Sequence, residues 1–459
     1  MNRLWLPRSP RLLAGLTVAA TVLLLGGCLK KNIVWSPDGQ QAAVISQDGL
    51  RFCGADGALS SPSSPGVYLV AWLGDSQHLL VARERPAANW AEVARVLGSE
   101  RTQQIAAAVE AAWAKVKQGA LWSVVTLDLL NENPLPQFCL RELHGSELRP
   151  KLSTEEWAAL TGVEVKLHEV ALARRQDGRV ELGTPLFTDL GMVADLRLAP
   201  GEKAVAITVA KSARNGDHHR LVVAALDGAV PPAALANEVS AYPDWAIDGR
   251  ALVYCQSPGL PEKDQVQFGV FQQREVLGPD GKLAPAEKAV DLGGGLFQPL
   301  GRIRCLPDGR IVFNASELTL PVAARDFEAE REQLFVLDPT RQATLVRLTT
   351  RSEGAKLPKM LAFFEPSADG KTLLIGGGEG EVCVFTLATG EITEIQGSGK
   401  GPICQPVWRG LGELTYLKRV QAKEGQQPSR EVEVVLRKGD KETVLSATWP
   451  DAVVESLGK

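Results

Sequence analysis

In this chain of 459 residues, Asp217, His218 and His219 in the stretch SARNGDHHRLVV come nearest to a metal site by type and spacing. One carboxylate and two imidazoles could ligate zinc, but the three sit in a polar hairpin loop where adjacent side chains are ordinarily solvated. The other histidines, His78, His144 and His168, are scattered, and His168-Glu169 opens no H-E-x-x-H because Val170, Ala171 and Leu172 follow. Gly370-Lys371-Thr372 has the ending of a P-loop, but Glu365 occupies the place of its first glycine and the surroundings read as strand-turn-strand. The glycine runs at Gly293 and Gly376 have no helix behind them to help hold an anion. No G-x-S-x-G occurs, and no serine is placed by sequence beside a histidine and an acid. The sequence therefore predicts no catalytic, metal or cofactor-binding residue.

Asp38, Asp248, Asp308 and Asp369 recur, and a ring of such carboxylates could bind cations. Each lies in a stretch of one kind: IVWSPDGQQAAVIS from Ile33, PDWAIDGRALVYCQ from Pro243, IRCLPDGRIVFNAS from Ile303 and FEPSADGKTLLIGG from Phe364. An apolar strand end, Asp-Gly and a second apolar strand spell a hairpin, in which Asp accepts backbone hydrogen bonds and Gly supplies the positive φ. Looser copies begin at Leu69, Asp195 and Cys404, making seven. The aspartates are thus expected to be turn residues, and Trp35, Trp72, Trp245 and Trp408, at matching places, to pack between repeats.

Behind several copies come two further strands, most clearly in QLFVLDPTRQATLVRLT (333–349) and VCVFTLATGEITEIQG (382–397). Four strands per unit, repeated at 42 to 60 residues in the second half, predict an all-β fold, a β-propeller of four-stranded antiparallel blades. Seven blades follow from seven copies, with six or eight as alternatives because residues 120–190 do not show which blade owns their strands. W-S-P-D-G before an apolar strand, with L-F-V-L-D-P later in the unit, resembles the TolB-type, WD-repeat-like propeller family, strongly at 33–46 and 303–397. That resemblance implies the fold and is nearly silent on function, since propellers serve as binding modules, scaffolds and enzymes.

About 120 residues separate the second and third copies, so the blades carry an insertion. Residues 88–118 read as a helical hairpin, Asn89 capping the first helix and Ser99 the second, with Gly98 at the break. Ile105, Val109, Ala112, Trp113 and Val116 fall on one helical face, which would cap the propeller or dock a partner, capping being favoured. Ser153 and Glu156 form a capping box for a short helix over 153–161. LWSVVTLDLL (121–130) and VKLHEVALARR read as strands.

The N-terminus bears on location. Arg3, Arg8 and Arg11 precede an apolar run from Leu12 to Leu25, too short to span a bilayer. It ends in LGGC, which resembles the lipobox of bacterial lipoproteins. That resemblance implies a signal peptide over 1–27, cut before Cys28, lipidation of Cys28, and a short tether, 28–32, holding the propeller (33–459) close to the membrane. Leu29 in place of aspartate leans toward the periplasmic face of the outer membrane. Cys53, Cys139, Cys255, Cys305, Cys383 and Cys404 have no C-x-x-C spacing and sit mostly in apolar runs, so buried free thiols are favoured over disulfides. A formal charge of −4 offers no basic stripe for nucleic acid. The expected partners are the membrane, through the anchor, and another envelope protein. The expected role is a lipid-anchored protein-binding or scaffolding module of the cell envelope. The alternative is an envelope hydrolase or lyase with its site in the central channel, and converging His, carboxylate and Ser or Tyr groups at the channel mouth would favour it, whereas an apolar or mixed-charge mouth would favour binding.

Overall fold

The computed structural model describes residues 32–122, 125, 134–176, 179–210, 219–240, 242–256, 268–317, 333–341, 344–348, 361–377, 381–396, 403–410, 412–419, 432–446, 449 and 453. The leader, Cys28 and most of the tether lie outside them, as do Asp217 and His218.

The strands pair antiparallel in five sheets, three of four strands, one of three and one of eleven. The eleven-stranded sheet divides into three blade-sized parts. One junction is the single pair Val239↔Gln256, and the other lies within the long strand Val290–Cys305, which pairs backward through Leu296 and forward from Phe297. Seven units result: 33–54, 67–189, 193–239, 244–296, 297–347, 361–396 and 403–446, here called blades 1 to 7.

Seven apolar cores, one between each pair of neighbours, hold them together. Phe52 and Trp72 meet between blades 1 and 2, Tyr254 and Leu221 between 3 and 4, Phe271 and Phe313 between 4 and 5. Ile33, Trp35 and Val44 of blade 1 pack on Val407, Leu417 and Val434 of blade 7, so the ring closes. Closure relies on side chains: blade 1 has three strands, and Trp449 returns from the C-terminus to donate from Nε1 to the Gly57 carbonyl at 3.0 Å.

The hairpin turns behave as their sequences predict. Oδ1 of Asp38, Asp248, Asp308 and Asp369 accepts from the N–H two residues on, at 2.9–3.1 Å, and the glycine that follows has φ between 65° and 85°. The hydrogen bonds from Ser36 and Gln40 hold the Asp38 carboxyl below its usual range. Each of the four matching tryptophans bonds to the preceding blade: Trp72 Nε1 to the Val34 carbonyl, Trp245 to Arg197, Trp408 to Glu365, at 2.8–3.1 Å, and Trp35 Nε1 to Thr415 Oγ1 at 2.6 Å.

The insertion lies between the second and third strands of blade 2, on the face opposite these turns. It comprises helices α1 (Trp90–Leu97), α2 (Ser99–Lys117), α3 (Pro134–Leu148) and α4 (Thr154–Thr161). Asn89 caps α1 and the Ser153–Glu156 capping box is formed, but Gly98, at φ 79°, occupies the cap of α2 and Ser99 is already helical. A further expectation is corrected. Trp122 and Val125 in LWSVVTLDLL are helical rather than extended, because tertiary burial among helices overrides their strand-like pattern. The stripe of Val109, Ala112, Trp113 and Val116 is buried against α3 and blade 2, with Ile105 packed beside it, so it offers no free apolar face to a partner.

Candidate binding channel

The first strands of the blades, ending at Trp35, Trp72, Leu198, Trp245, Cys305, Pro366 and Trp408, neighbour one another around the axis. Aligned on the turn, the residue before each strand end is Val34, Ala71, Arg197, Asp244, Arg304, Glu365 and Val407. The tryptophan bonds to the carbonyls of Val34, Arg197 and Glu365 show that these positions are structurally equivalent. One half of the ring, blades 7, 1 and 2, is therefore apolar at this level, and the other half alternates in sign. Two residues earlier come Asp195 in blade 3, Tyr242 in blade 4 and Arg302 in blade 5. Register shifts interrupt the pairing of the first strands near this level in blades 2, 3, 5, 6 and 7, as bulges do where a strand must re-aim its side chains.

These groups converge. Arg302 of blade 5 reaches Asp195 of blade 3, Nη2 to Oδ1 at 3.9 Å, passing over the ring of Tyr242 in blade 4. A contact that skips a blade can be made on the axial side. Asp195 Oδ2 also lies 3.4 Å from Arg197 Nε, and Asp244 Oδ2 accepts from the Cys305 N–H at 3.0 Å. Burial pushes the Asp244 carboxyl up, against the pull of Arg197 and that N–H. Burial also works against the Arg197 charge, yet Asp195, Asp244 and Glu365 together hold it above the ordinary arginine range.

Not every donor is used. Arg304 is 3% exposed, and its Nη1 donates to the Ile303 carbonyl at 2.8 Å while its Nη2 meets no acceptor. Arg197 is buried at Nε and Nη2, and neither makes a hydrogen bond; the Asp195 oxygen beside Nε is within ion-pair distance but out of line. A guanidinium presents Nε and Nη2 along one edge, the geometry that matches the two oxygens of a carboxylate.

The histidines are accounted for in other ways. His219, at the start of a blade 3 strand, lies against Tyr242 with ring centroids 5.2 Å apart and planes tilted by 32°. His168 is buried, its Nδ1 3.0 Å from the Tyr68 hydroxyl, and burial lowers its pKa. His144 stacks on Trp113 and meets Glu110 at 2.7 Å, and His78 pairs with Asp75. Among the described residues no group of three His, Cys, Asp or Glu side chains is placed to hold a metal ion. Gly370 and Lys371 form a hairpin turn, Gly293 lies in a bulged strand, and Gly376 makes room for the Phe363 ring. Cys53, Cys139, Cys255, Cys305 and Cys383 are free thiols, and burial raises the pKa of each.

The sequence reading passed over the channel charges, although they stand within the copies it recognised. Arg304 is the second residue of IRCLPDG and Glu365 the second of FEPSADG; reading down the copies rather than along them exposes the alternating column.

No family model matches the chain, and no curated protein matches it. Among solved structures, it is similar to a Kuenenia stuttgartiensis hydrazine synthase at 12% identity, covering 78% of this chain and 77% of that one with a TM-score of 0.44. The β-propeller domain of Myceliophteria thermophila Cps50 (Swd1) is 11% identical over 85% of this chain and 93% of its own, TM-score 0.42, and a TolB from Agrobacterium tumefaciens 12% identical over 57% and 83%, TM-score 0.34. Likenesses this distant carry no argument about what the chain does; its blade architecture rests on its own strand pairing and cores.

Proposed function

We propose that this protein is a lipid-anchored β-propeller of the bacterial cell envelope that works as a binding or scaffolding module, with the channel as its recognition surface. The observation that supports a binding role is the level of charges: arginines and carboxylates from blades 3 to 6 alternate in sign there, and a mixed-charge surface of this kind suits recognition. The anchor rests on LGGC at 25–28, with Cys28 as the lipidated residue. The partner is another envelope protein. Photo-crosslinking in envelope preparations, with a probe at Val34 on the channel and another at the exposed Lys282 on the turn face as control, tests this reading. A discrete adduct from position 34 alone is expected, and adducts equal at both positions, or at neither, would sink it. Incorporation of labelled palmitate, lost in Cys28→Ser, tests the anchor.

A second reading, an envelope hydrolase or lyase, draws on His219 against Tyr242 with Arg302 beside it. It expects turnover of a peptide or an acidic carbohydrate that His219→Ala abolishes while folding persists.

A further inference from the structure

We infer that the channel contains a carboxylate-binding site, formed by the buried, unfilled Nε and Nη2 of Arg197 and the unfilled Nη2 of Arg304. The inference deepens the binding reading and rests on it, by naming the chemistry the channel takes.

The argument starts from cost. A buried guanidinium donor without an acceptor forfeits a charge-assisted hydrogen bond, and chains rarely keep one where an uncharged residue would pack. Blades 1, 2 and 7 show that the fold accepts small apolar residues at this position: Val34, Ala71 and Val407. Arginine at the equivalent places in blades 3 and 5 is thus no requirement of blade packing. Arg304 is walled in on almost every side and turns one nitrogen away from every protein acceptor. Arg197 keeps Nε and Nη2 buried without a hydrogen bond, although a carboxylate oxygen lies 3.4 Å from Nε. Asp195 itself, 6% exposed, is held from the other side by Arg302, so its two oxygens are divided between two arginines and it cannot close the Arg197 fork. The edge that remains is planar and bidentate, which favours a planar carboxylate over a tetrahedral oxyanion.

The shared chemistry is one carboxylate on a short aliphatic stem, which a free small acid or an aspartate of a peptide could supply. Isothermal titration of the detergent-solubilised full chain with succinate and, separately, with capped Gly-Asp-Gly distinguishes the sources. Saturable binding of either supports the site and shows which form it takes; binding of neither overturns it. Sulfate is the shape control, and binding as tight as that of the carboxylate overturns the planar-edge assignment. Arg197→Lys keeps the charge and removes the fork, so affinity should fall at least about tenfold, as loss of a bidentate charge-assisted pair implies; unchanged affinity refutes it. Should the variant fail to fold, the wild-type chain still decides: arginine Nε–H resonances must shift on titration with carboxylate and stay in place with chloride. Envelope crosslinking from position 34 that persists while no carboxylate binds would remove this inference and leave the binding module standing.

Discussion

Two glycines in equivalent turns separate the conformational demand of the hairpin from the packing of one blade on the next. Gly309 of blade 5 has φ 85° and a Cβ built there meets nothing within 4 Å, whereas Gly370 of blade 6 has φ 65° and its Cβ would lie 2.2 Å from Cδ and 2.7 Å from Cγ of Pro307 in blade 5. Gly309→Ala therefore feels only the left-handed backbone, about 1–2 kcal/mol, less the roughly 0.4–1 kcal/mol by which alanine narrows the unfolded ensemble, leaving about 1 kcal/mol of destabilisation. Gly370→Ala bears the same backbone cost and must also displace a rigid ring in the neighbouring turn, an overpacking cost of about 1–3 kcal/mol. The predicted gap is thus about 1–3 kcal/mol, seen as a lower urea midpoint at unchanged slope. Native-state hydrogen exchange should place the extra loss in the facing strands Ile311–Glu317 and Thr372–Gly377. Equal destabilisation by the two substitutions would refute the abutting turns and the inter-blade packing built on them.

Other consequences are open to measurement. Glu169 is 2% exposed and takes hydrogen bonds from Arg83 and Arg85 at 2.7–2.9 Å, and Arg85 also holds Glu92 of α1; Glu169→Leu should cost about 2–4 kcal/mol and expose the insertion, not the blades, to limited proteolysis. Equal cleavage throughout would argue against that coupling. The His168 pKa is lowered in the folded state, so the unfolded chain takes up its proton first and stability falls as pH drops from the unfolded value near 6.5 toward the folded one. His168→Phe should flatten the loss of melting temperature between pH 7 and 5.5, and an unaltered slope would contradict it. Burial pushes the Cys53, Cys139, Cys255 and Cys383 thiols up to about 12, so iodoacetamide at pH 8 should label them only after denaturation. Native labelling at any of the four, read by mass spectrometry, would show that its strand, or helix α3 for Cys139, opens.

The turns were legible because their chemistry is local. Asp38-Gly39 needs a short carboxylate and a residue tolerant of positive φ, and four residues suffice to state both. The strand-like 121–130 misled for the opposite reason: Trp122 and Val125 are β-formers by type, and their helical state depends on Phe138, Leu140 and Leu160 packed around them. Burial of the α2 stripe has the same origin, since its partner helix α3 begins 17 residues after α2 ends.

By itself the sequence determined the repeat, the hairpin chemistry, the place of the insertion and the blade number expected from seven copies, all of which are periodic or local in the chain. Only the tertiary structure decided that the ring closes through side chains, that each indole donates to the blade before it, and that Arg197, Asp244, Arg304 and Glu365 share one level. Those four span 168 positions along the chain. The packing of consecutive blades brings their level together, and it leaves Arg197 and Arg304 with donors that no protein acceptor fills.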